Sequence, residues 1–400
     1  MKVLIIGAGA QGNVISWVLS RGRDVREIVL GDINLDRAKE IAEMNGSGKV
    51  KAERLNANDV DSMTELMKER NFNLVINATL PDFNSQIMQA CYSAKINYQD
   101  MATGTTENFT IEEGTSKELS VNKEWRDAGL QALMTTGSTP GVTNVLIKEV
   151  YERMTEVDDI EIRCVGGYSK MEIPMSLWSA YTFILDCSTP PLVYENGAYK
   201  RYPPFSGREE IETKYGKEVI VLHDHEELTT VPKFLKIKNL FFKMGDLDTD
   251  NMKALYDLGL MGSEKIEVNG VKVEPRKVLA KLFPPTPLSL REYMKYVEQG
   301  KLDEGGGSIS VKVRGNKDGT PREEEWIIAN PTLVECAQRI PGSSDVSYGT
   351  SVSAAICSLM MLRGQVKHKG VFPPEVFDEE EREIFLKGIG EWDIKISERK

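Results

Sequence analysis

The sequence predicts an α/β protein with a doubly wound parallel sheet followed by a second, α+β domain. Over the first third of the chain, short apolar stretches alternate with helical patterns, as in sheets built from β-α-β units. After Asn144 this alternation fades, and hairpin turns with Asn-Gly appear in "YENGAY" (194–199) and "EVNGVKV" (267–273). The second domain is therefore expected to be mostly antiparallel. A chain of 400 residues is also long enough for more than one domain.

The first strand and helix carry a dinucleotide-binding motif. "KVLII" (2–6) is an apolar run typical of a buried parallel strand, and it leads directly into "GAGAQG". Gly7 allows the tight turn, Gly9 lets the backbone approach a pyrophosphate, and Gly12 lets the helix lie close to the strand. These features predict a Rossmann domain.

The second strand indicates which dinucleotide is bound. "EIVLGD" (27–32) ends in Asp32, which lies 20 residues after Gly12. An acid at this place accepts hydrogen bonds from the ribose hydroxyls and repels a 2′-phosphate. Ile33 and Asn34 follow, so no arginine fork stands at this strand end. The sequence favours NAD over NADP.

Four more strands complete the predicted sheet, in "VKAERLNA" (50–57), "NLVINAT" (73–79), "INYQDM" (96–101) and "LQALMTTG" (130–137). Ligands of such sheets bind beyond the carboxyl ends of the strands. We therefore place residues 57–58 near the adenine and 77–79 nearer the nicotinamide, although a strand-end turn cap is the alternative for Asn77 and for Asp100. The predicted cofactor-binding residues are Gly7, Gly9, Ala10, Gln11, Gly12, Asp32, Ile33, Ala57, Asn58, Asn77, Ala78 and Thr79.

Two loops are expected to bind the substrate. "STPGVTN" (138–144) enters a helix at Pro140 or just after, and the N-terminus of such a helix suits a substrate carboxylate, with Thr143 and Asn144 beside it. An ordinary capped linker is the alternative. "PDFN" (81–84) follows the fourth strand, and Asn84 there is a candidate hydrogen-bonding partner of the substrate.

"LHDHEELTT" (222–230) holds two of the three histidines of the chain. If this segment is a strand, His223 and His225 point to one face and the acids to the other, so a compact metal cage is disfavoured and no metal is predicted. His225 suits proton transfer near neutral pH, and Glu226 or Glu227 suits a substrate ammonium. A hydrated loop is the alternative.

Composition excludes several classes of function. The net charge is −11 with a pI near 5.1 and no Lys/Arg block, which disfavours nucleic acid and anionic membranes as partners. No apolar run approaches the length of a membrane span and no leader pattern opens the chain, so a cytoplasmic location is expected. The five cysteines lack CxxC spacing, which argues against a disulfide framework or a zinc site.

We expect three regions along the chain. Residues 1–141 form the dinucleotide-binding Rossmann domain and residues 142–345 the α+β substrate and dimerisation domain. Residues 346–400 form a C-terminal helical segment that returns to the Rossmann domain. The stretch "SYGTSVSAAICSLMMLRG" (347–364) in this last region is rich in small and apolar residues, which predicts a buried helix.

The order of several segments resembles the saccharopine dehydrogenase-like family over nearly the whole chain. These segments are "GAGAQG", "LNANDVDSMTELMKERNFNLVINAT", "PDFN", "INYQD", "STPGVTN", "YENG", "HDHEELTT" and "KGVFPPE". Among members of that family, "VNGVKVEPRKVL", "ISVKVRGNKDG" and "KGVFPPEVF" look most like lysine 6-dehydrogenase. The carboxynorspermidine enzyme shares the "NANDVDS" and "QACYSAK" regions, so both remain open.

The resemblance implies a Rossmann domain completed by the C-terminal segment, a substrate domain that also forms a homodimer, and chemistry at a carbon-nitrogen bond. It implies that Asp100, Gly141, Asn144, His225 and Glu227 line the pocket. One departure is "YQD" (98–100) followed by "MATGTTE", where the family suggests a more glycine-rich or apolar continuation.

We therefore predict an NAD-dependent dehydrogenase for the oxidative deamination of L-lysine or a lysine-like amino acid. His225 and Asp100 are the predicted catalytic residues, with Glu227 or Asp100 holding the ammonium and residues 141–144 the carboxylate. An alternative is reductive coupling of two substrates, as in saccharopine or carboxynorspermidine formation. That reaction requires further cations near the pocket, and the candidates are Arg163, Lys170, Arg201 and Arg208. A catalytically silent NAD sensor is the alternative of another class.

Overall fold

The computed structural model describes residues 1–166, 179–213, 216–246, 248–284, 290–301 and 305–399. They divide into two compact units. The first unit consists of Met1–Arg153, Thr229–Leu235 and Ser347–Ile394, and the described residues of Met154–Leu228, Lys236–Val346 and Lys395–Lys400 make up the second. Lys170 lies outside the described residues. The predicted domain limits at 141 and 345 stay predictions.

The first unit is built on a parallel sheet of seven strands, which confirms the predicted Rossmann fold. In spatial order the strands are β17 (Gly370–Phe372), β6 (Gln131–Leu133), β5 (Asn97–Gln99), β4 (Leu74–Asn77), β1 (Lys2–Ile6), β2 (Glu27–Asp32) and β3 (Val50–Arg54). Six of them are the predicted strands. The seventh, β17, comes from the C-terminal part of the chain and was not predicted, because it lies outside the β-α alternation of the first third of the chain.

Helices follow the strands of this unit. They are α1 (Ala10–Arg21), α2 (Leu35–Asn45), α3 (Val60–Arg70), α4 (Asn84–Ala94), α5 (Ile111–Ser120), α6 (Asn122–Asp127), α7 (Val142–Tyr151) and α15 (Glu379–Gly390), together with residues 229–234 of α9 (Glu227–Phe234) and 347–362 of α14 (Asp345–Leu362). Side-chain caps start several of them: Asn34 accepts the backbone N–H of Arg37 at α2, and Asp59 that of Ser62 at α3.

Helix α14 is almost entirely buried, as its composition predicts. Gln99 at the end of β5 fixes it to the sheet, because its amide donates to the backbone oxygen of Ala354 at 2.7 Å and accepts from the Ser358 hydroxyl at 2.8 Å. Buried amides are stable only when they are hydrogen-bonded. Gln99 therefore holds this helix at one fixed position on the sheet.

The second unit contains a larger mixed sheet. Its main path runs β10 (Glu209–Thr213), β11 (Gly216–Leu222), β12 (Asn239–Asp246), β7 (Glu156–Val165), β15 (Ser308–Lys317), β16 (Thr320–Ala329) and β18 (Lys395–Glu398), with β8 (Leu192–Glu195) and β9 (Ala198–Arg201) beside β12. Among the described strands of this unit, only β12 and β7 pair in parallel, so the prediction of a mostly antiparallel domain is confirmed.

The Asn-Gly pairs form the predicted hairpin turns. Asn196 and Gly197 join β8 to β9, and Asn269 and Gly270 join β13 (Ile266–Val268) to β14 (Val271–Val273). All four residues have positive φ angles between 51° and 81°, as a type I′ turn requires. The helices of this unit are α8 (Ala180–Ser188), the start of α9, α10 (Thr249–Asp257), α11 (Pro275–Leu282), α12 (Leu290–Glu298) and α13 (Leu333–Arg339).

No helix within the described parts of the chain is long and apolar enough to cross a lipid bilayer.

Candidate functional site

The glycine-rich turn of the first unit fits a dinucleotide. A Cβ atom on Gly12 would lie 1.9 Å from the backbone oxygen of Gly7, and one on Gly7 would lie 2.5 Å from that of Ala78. Both distances are far inside van der Waals contact, so these two glycines are required for the packing of β1, α1 and β4. A Cβ on Gly9 would meet nothing within 4 Å. Gly9 therefore borders the open space that a pyrophosphate would occupy.

Asp32 stands at the end of β2 beside this turn. Its Oδ2 accepts the backbone N–H of Ala8 at 2.6 Å, and its Oδ1 accepts that of Asn34 at 2.7 Å. These bonds fix the carboxylate where the ribose of a dinucleotide binds in this fold. Ala10 and Ile33 are exposed beside the same turn, whereas the Gln11 side chain bonds to Ser351.

A cavity of about 290 Å³ opens at the carboxyl end of β3. Its lining consists of Ile33, Arg54, Leu55, Asn56, Asp59 and Ser62. The predicted adenine neighbours Ala57 and Asn58 lie in the same loop but are not among these residues. Arg54 was not predicted, because the pairing of β3 with β2 carries no local sequence signal.

The predicted residues at the end of β4 belong to a buried hydrogen-bond network. Asn77 Nδ2 donates to Asn84 Oδ1 at 2.7 Å, and Asn84 Nδ2 donates to Oε1 of Glu118 at the same distance. Asn77 Oδ1 accepts the backbone N–H and the hydroxyl of Thr79. The side chains of Asn77 and Asn84 are thus held by the protein itself, so their binding to cofactor or substrate stays a prediction.

Asp100 is buried and shapes the neighbouring loop. Its Oδ1 accepts the backbone N–H of Thr135 at 2.8 Å, and its backbone oxygen accepts both the N–H and the hydroxyl of Thr136. Thr135 has a φ of 58°, which is uncommon for a β-branched residue and persists only where the surroundings enforce it. Asp100 enforces this turn at the carboxyl edge of the sheet.

The backbone N–H groups at the start of α7 already donate hydrogen bonds to acceptors within the chain. The N–H groups of Val142 and Thr143 donate to the backbone oxygens of Gly137 and Ser138, and that of Gly141 donates to Oδ1 of Asn144. The Nδ2 group of Asn144 donates in turn to Thr230 at 3.3 Å and to Oε2 of Glu375 at 3.0 Å. A substrate carboxylate at Gly141, Thr143 and Asn144 stays a prediction, and the observed contacts make these residues a buried framework.

The "HDHEE" segment belongs to an acidic cluster in the second unit. Strand β11 ends at Leu222, so residues 223–226 form a loop and not the strand considered above, and Glu227 begins α9. We define the acidic cluster as Asp186, Asp224, His225, Glu226 and Glu227. Nδ1 of His225 lies 2.5 Å from Oε2 of Glu227 and 3.4 Å from Oε2 of Glu226. The His225 ring stacks on Phe242 of β12 with centroids 3.9 Å apart.

Because the segment is not a strand, the alternating side-chain directions of a strand no longer disfavour a metal cage. Within the ranges that the structure describes, His225, Glu226 and Glu227 are the single group whose ligand atoms lie within 4.8 Å of one another. The short His225–Glu227 hydrogen bond already uses two of these atoms, and carboxylates gather in many proteins without an ion. The absence of a metal stays an expectation.

The cluster changes the ionisation of two of its members. Burial lowers the pKa of His225, but the Glu227 carboxylate and then Glu226 and Asp186 outweigh burial and raise that pKa to about 9. Burial, followed by the charge of Glu226, raises the pKa of Asp186 to about 8. His225 is therefore protonated and Asp186 neutral at pH 7. Asp186 was not predicted, since α8 is remote from the "HDHEE" segment in sequence.

Two family models match this chain over nearly its whole length. Residues 3–133 match the saccharopine dehydrogenase NADP binding domain, and residues 137–393 match the saccharopine dehydrogenase C-terminal domain. This chain belongs to the saccharopine dehydrogenase family. The predicted NAD(P)-dependent dehydrogenase class is thereby confirmed, and the glycine turn fits the cofactor. These matches do not distinguish NAD from NADP.

Curated relatives of this saccharopine dehydrogenase-family protein extend over nearly its whole length. The carboxynorspermidine synthase of Vibrio alginolyticus is 28% identical, covering 99% of this chain and 97% of the relative. The carboxyaminopropylagmatine dehydrogenase of Synechocystis sp. is also 28% identical, with 98% and 95% covered. The apo saccharopine dehydrogenase (L-Glu forming) of Saccharomyces cerevisiae has the same fold, with a TM-score of 0.69 over both entire chains at 14% identity.

Proposed function

We propose that this protein is an NAD(P)H-dependent reductase that couples a primary amine to an amino-acid aldehyde and forms a carboxylated polyamine. This is the alternative of reductive coupling considered from the sequence. The relatives named above support it better than the oxidative deamination of lysine, because their names describe carboxylated polyamines. The reverse reaction is the oxidation of a secondary amine.

The relatives' names indicate the substrates. Carboxynorspermidine and carboxyaminopropylagmatine each contain a secondary amine that joins an amine chain to an arm with an amino and a carboxyl group. Disconnecting that carbon-nitrogen bond gives 1,3-diaminopropane or agmatine and a four-carbon amino-acid aldehyde. Coupling loses water to form an imine, and a hydride and a proton then reduce the imine to the secondary amine.

The observation that carries this proposal is the acidic cluster of the second unit. It gathers four carboxyl side chains around one histidine, and those of Glu226, Glu227 and Asp224 are 8%, 0% and 4% exposed. Buried carboxylates are stable only when they are paired. A di- or polyamine brings further positive charge to this concentration of carboxyl groups, and the −11 net charge of the chain attracts it from solution.

A substrate with a carboxylate requires a cation near the acidic cluster, and Arg201 lies there. The Nη1 atom of Arg201 lies 3.5 Å from Oδ1 of Asp224, which also accepts the backbone N–H of Leu192 at 3.0 Å. Of the other candidates, Arg163 pairs with Glu161 and Glu209, and Arg208 with Asp250. We propose Arg201 for the substrate carboxylate because it lies at the acidic cluster, where it contacts Asp224 and also donates to the backbone oxygen of Pro190.

When bound, NAD(P)H supplies the hydride, and the protein supplies binding and a proton. The Nδ1–H group of protonated His225 donates a hydrogen bond to Oε2 of Glu227, which leaves Nε2–H as the acid for the nitrogen of the nascent amine. Glu226 holds a remote ammonium group. Gly7, Gly9, Gly12 and the backbone around them bind the pyrophosphate. The buried groups around Asp100 and Asn144 hold their loops in one conformation. We also propose that the protein is a homodimer.

The experiment is a substrate panel with purified protein. Oxidation of NADH and NADPH is followed with 1,3-diaminopropane or agmatine, each combined with the four-carbon amino-acid aldehyde. NAD⁺ and NADP⁺ reduction is followed with L-lysine and saccharopine. Consumption of NAD(P)H that requires both amine and aldehyde, with the coupled product identified by mass spectrometry, is the expected result. NAD⁺ reduction with lysine alone would support deamination, and binding of NADH without any turnover would support a sensor.

A further inference from the structure

The cavity at the end of β3 contains an arginine that the protein does not neutralise. Arg54 is the last residue of β3 and is exposed. No residue that the structure describes forms an ion pair with it or bonds to its guanidinium. Nearby arginines differ, since Arg37 bonds to Glu40 at 2.6 Å and Arg70 to Glu53 at 3.3 Å. Arg54 is therefore available for an external anion.

The position of Arg54 relative to Asp32 matters for the cofactor. Asp32 and Arg54 are register partners at the carboxyl ends of the adjacent parallel strands β2 and β3. Paired residues on parallel strands point to the same face and lie about 4.8 Å apart. In this fold the acid at the end of β2 marks the ribose hydroxyls. If a dinucleotide binds here as in other Rossmann domains, Arg54 would lie on the strand next to the residue that holds the ribose, where the extra phosphate of NADP would be.

The shape of the cavity supports the same location. Its volume of about 290 Å³ is lined by Ile33 and Leu55 on the apolar side and by Arg54, Asn56 and Ser62 on the polar side. Asp32 is not part of this lining, and the acid that is, Asp59, accepts the N–H and the hydroxyl of Ser62 as the cap of α3. The Ser62 backbone and hydroxyl bonds lower the pKa of Asp59, so its charge is directed into the helix start.

The charge of Asp32 is also partly compensated. Both of its oxygens accept backbone N–H groups, from Ala8 and from Asn34. Hydrogen bonds of this type stabilise a carboxylate and hold it toward the glycine turn. The repulsion between Asp32 and a phosphate is therefore smaller than for a free carboxylate, and a bidentate guanidinium on the next strand offsets it.

We propose that Arg54 binds the 2′-phosphate of NADP(H), so that this protein accepts NADP(H) in spite of Asp32. The proposal replaces the preference for NAD inferred from residues 32–34 alone. It rests on the NAD(P) binding of the family and on the geometry of the first unit, and it is independent of the polyamine substrate proposed above.

The test uses two fragments of the cofactor and no substrate. Adenosine 2′,5′-bisphosphate carries the additional phosphate, and adenosine 5′-monophosphate lacks it. Isothermal titration calorimetry of the full-length protein measures the dissociation constant of each, and NADPH and NADH are titrated in the same way. The bisphosphate is expected to bind about 10- to 100-fold more tightly, as for a charge-assisted bidentate contact. This difference should shrink as salt is raised.

Arg54→Ala should remove that difference and leave the affinity for the monophosphate within about twofold. Arg54→Lys, which keeps the charge without the fork, should retain part of it. Arg37→Ala is the matched control, because Arg37 lies in the adjoining helix α2 but pairs with Glu40, and it should leave the difference unchanged. Thermal unfolding of each variant confirms that it is folded.

Three results would overturn the proposal. The wild type could bind both fragments equally, which would mean that no phosphate site exists beside Asp32. Arg54→Ala could keep the full preference for the bisphosphate, which would assign the phosphate to another cation. Arg54→Ala could weaken both fragments equally, which would place the guanidinium on the adenine and not on the phosphate. None of these outcomes depends on whether the protein turns over a polyamine.

Discussion

Nδ1 of His225 lies 2.5 Å from Oε2 of Glu227, and the Glu227 side chain is fully buried. Such a pair keeps the imidazole protonated and fixes its orientation, because the buried carboxylate has no solvent to stabilise it without a donor. The stacking of His225 on Phe242 restricts the ring further. An oriented imidazolium with one free N–H is the group that an imine reductase needs at the substrate nitrogen.

Glu227→Gln should move the pH dependence of reductive coupling. The raised pKa of His225 means that it is protonated below about pH 9 and loses its proton as the pH rises through that value. Without the Glu227 charge, the pKa should fall to about the ordinary 6.5 or lower, so the rate at pH 8 should drop ~30-fold. The measurement is kcat/KM from pH 6 to 10. Glu210→Gln on exposed β10 is the control, and an unshifted profile in Glu227→Gln would refute the role of the pair.

Asp186→Asn should abolish the dependence of substrate binding on an ionisation near pH 8. Burial, then Glu226, raises the pKa of Asp186, so this group gains its negative charge as the pH rises through about 8. The groups whose charges act on it are Glu226, His225 and Asp224. In the wild type, KM for the amine should fall across this range. The variant should lack that fall, and identical KM profiles for the two proteins would exclude Asp186 from the amine site.

Gly9→Ala and Gly12→Ala should separate cofactor binding from stability. A Cβ on Gly9 meets nothing, so the fold should keep its stability within ~0.5 kcal/mol, while the methyl group obstructs the pyrophosphate and weakens NAD(P)H binding ~10-fold or more. A Cβ on Gly12 collides with the Gly7 backbone, which should destabilise the protein by ~1–3 kcal/mol. Urea unfolding and cofactor titration distinguish the two effects. Tight binding by Gly9→Ala would contradict the assigned pyrophosphate position.

Asn144→Ala should destabilise the protein, because Asn144 is fully buried and bonds to Gly141, Thr230 and Glu375. Removing the amide leaves a buried carboxylate and a buried N–H with fewer partners, at a cost of ~2–4 kcal/mol. Urea unfolding measures it. Asn58→Ala, at an exposed loop position, is the control and should change stability by less than ~0.5 kcal/mol. A stable Asn144→Ala with impaired substrate binding would instead support direct substrate contact.

The elements that the sequence predicts well are those with local signals. The glycine turn after "KVLII" and the Asn-Gly hairpins are specified by a few consecutive residues and are found where expected. The end of β11 was less predictable, because Leu222 is the last residue to pair with β12, and the following "HDHEE" turns into a helix. The residue at which β11 ends depends on the length of its partner strand β12, which lies elsewhere in the chain.

The candidate site was predicted in part for the same reason. His225 and Glu227 are neighbours in sequence, so their association was visible, whereas Asp186 joins them from α8 and Arg54 approaches Asp32 from the next strand. Such relationships arise from tertiary structure and carry no local pattern. The partners of Asn144 are a further example, since Thr230 and Glu375 are 86 and 231 residues away.

The most direct test of the account is the consumption of NAD(P)H in the presence of a diamine or agmatine and the four-carbon amino-acid aldehyde. If the protein catalyses reductive coupling, NAD(P)H is consumed only when amine and aldehyde are both present. One carboxylated polyamine is then formed for each NAD(P)H oxidised. Consumption with the aldehyde alone, or reduction of NAD⁺ by lysine with no coupling under any condition, would contradict it.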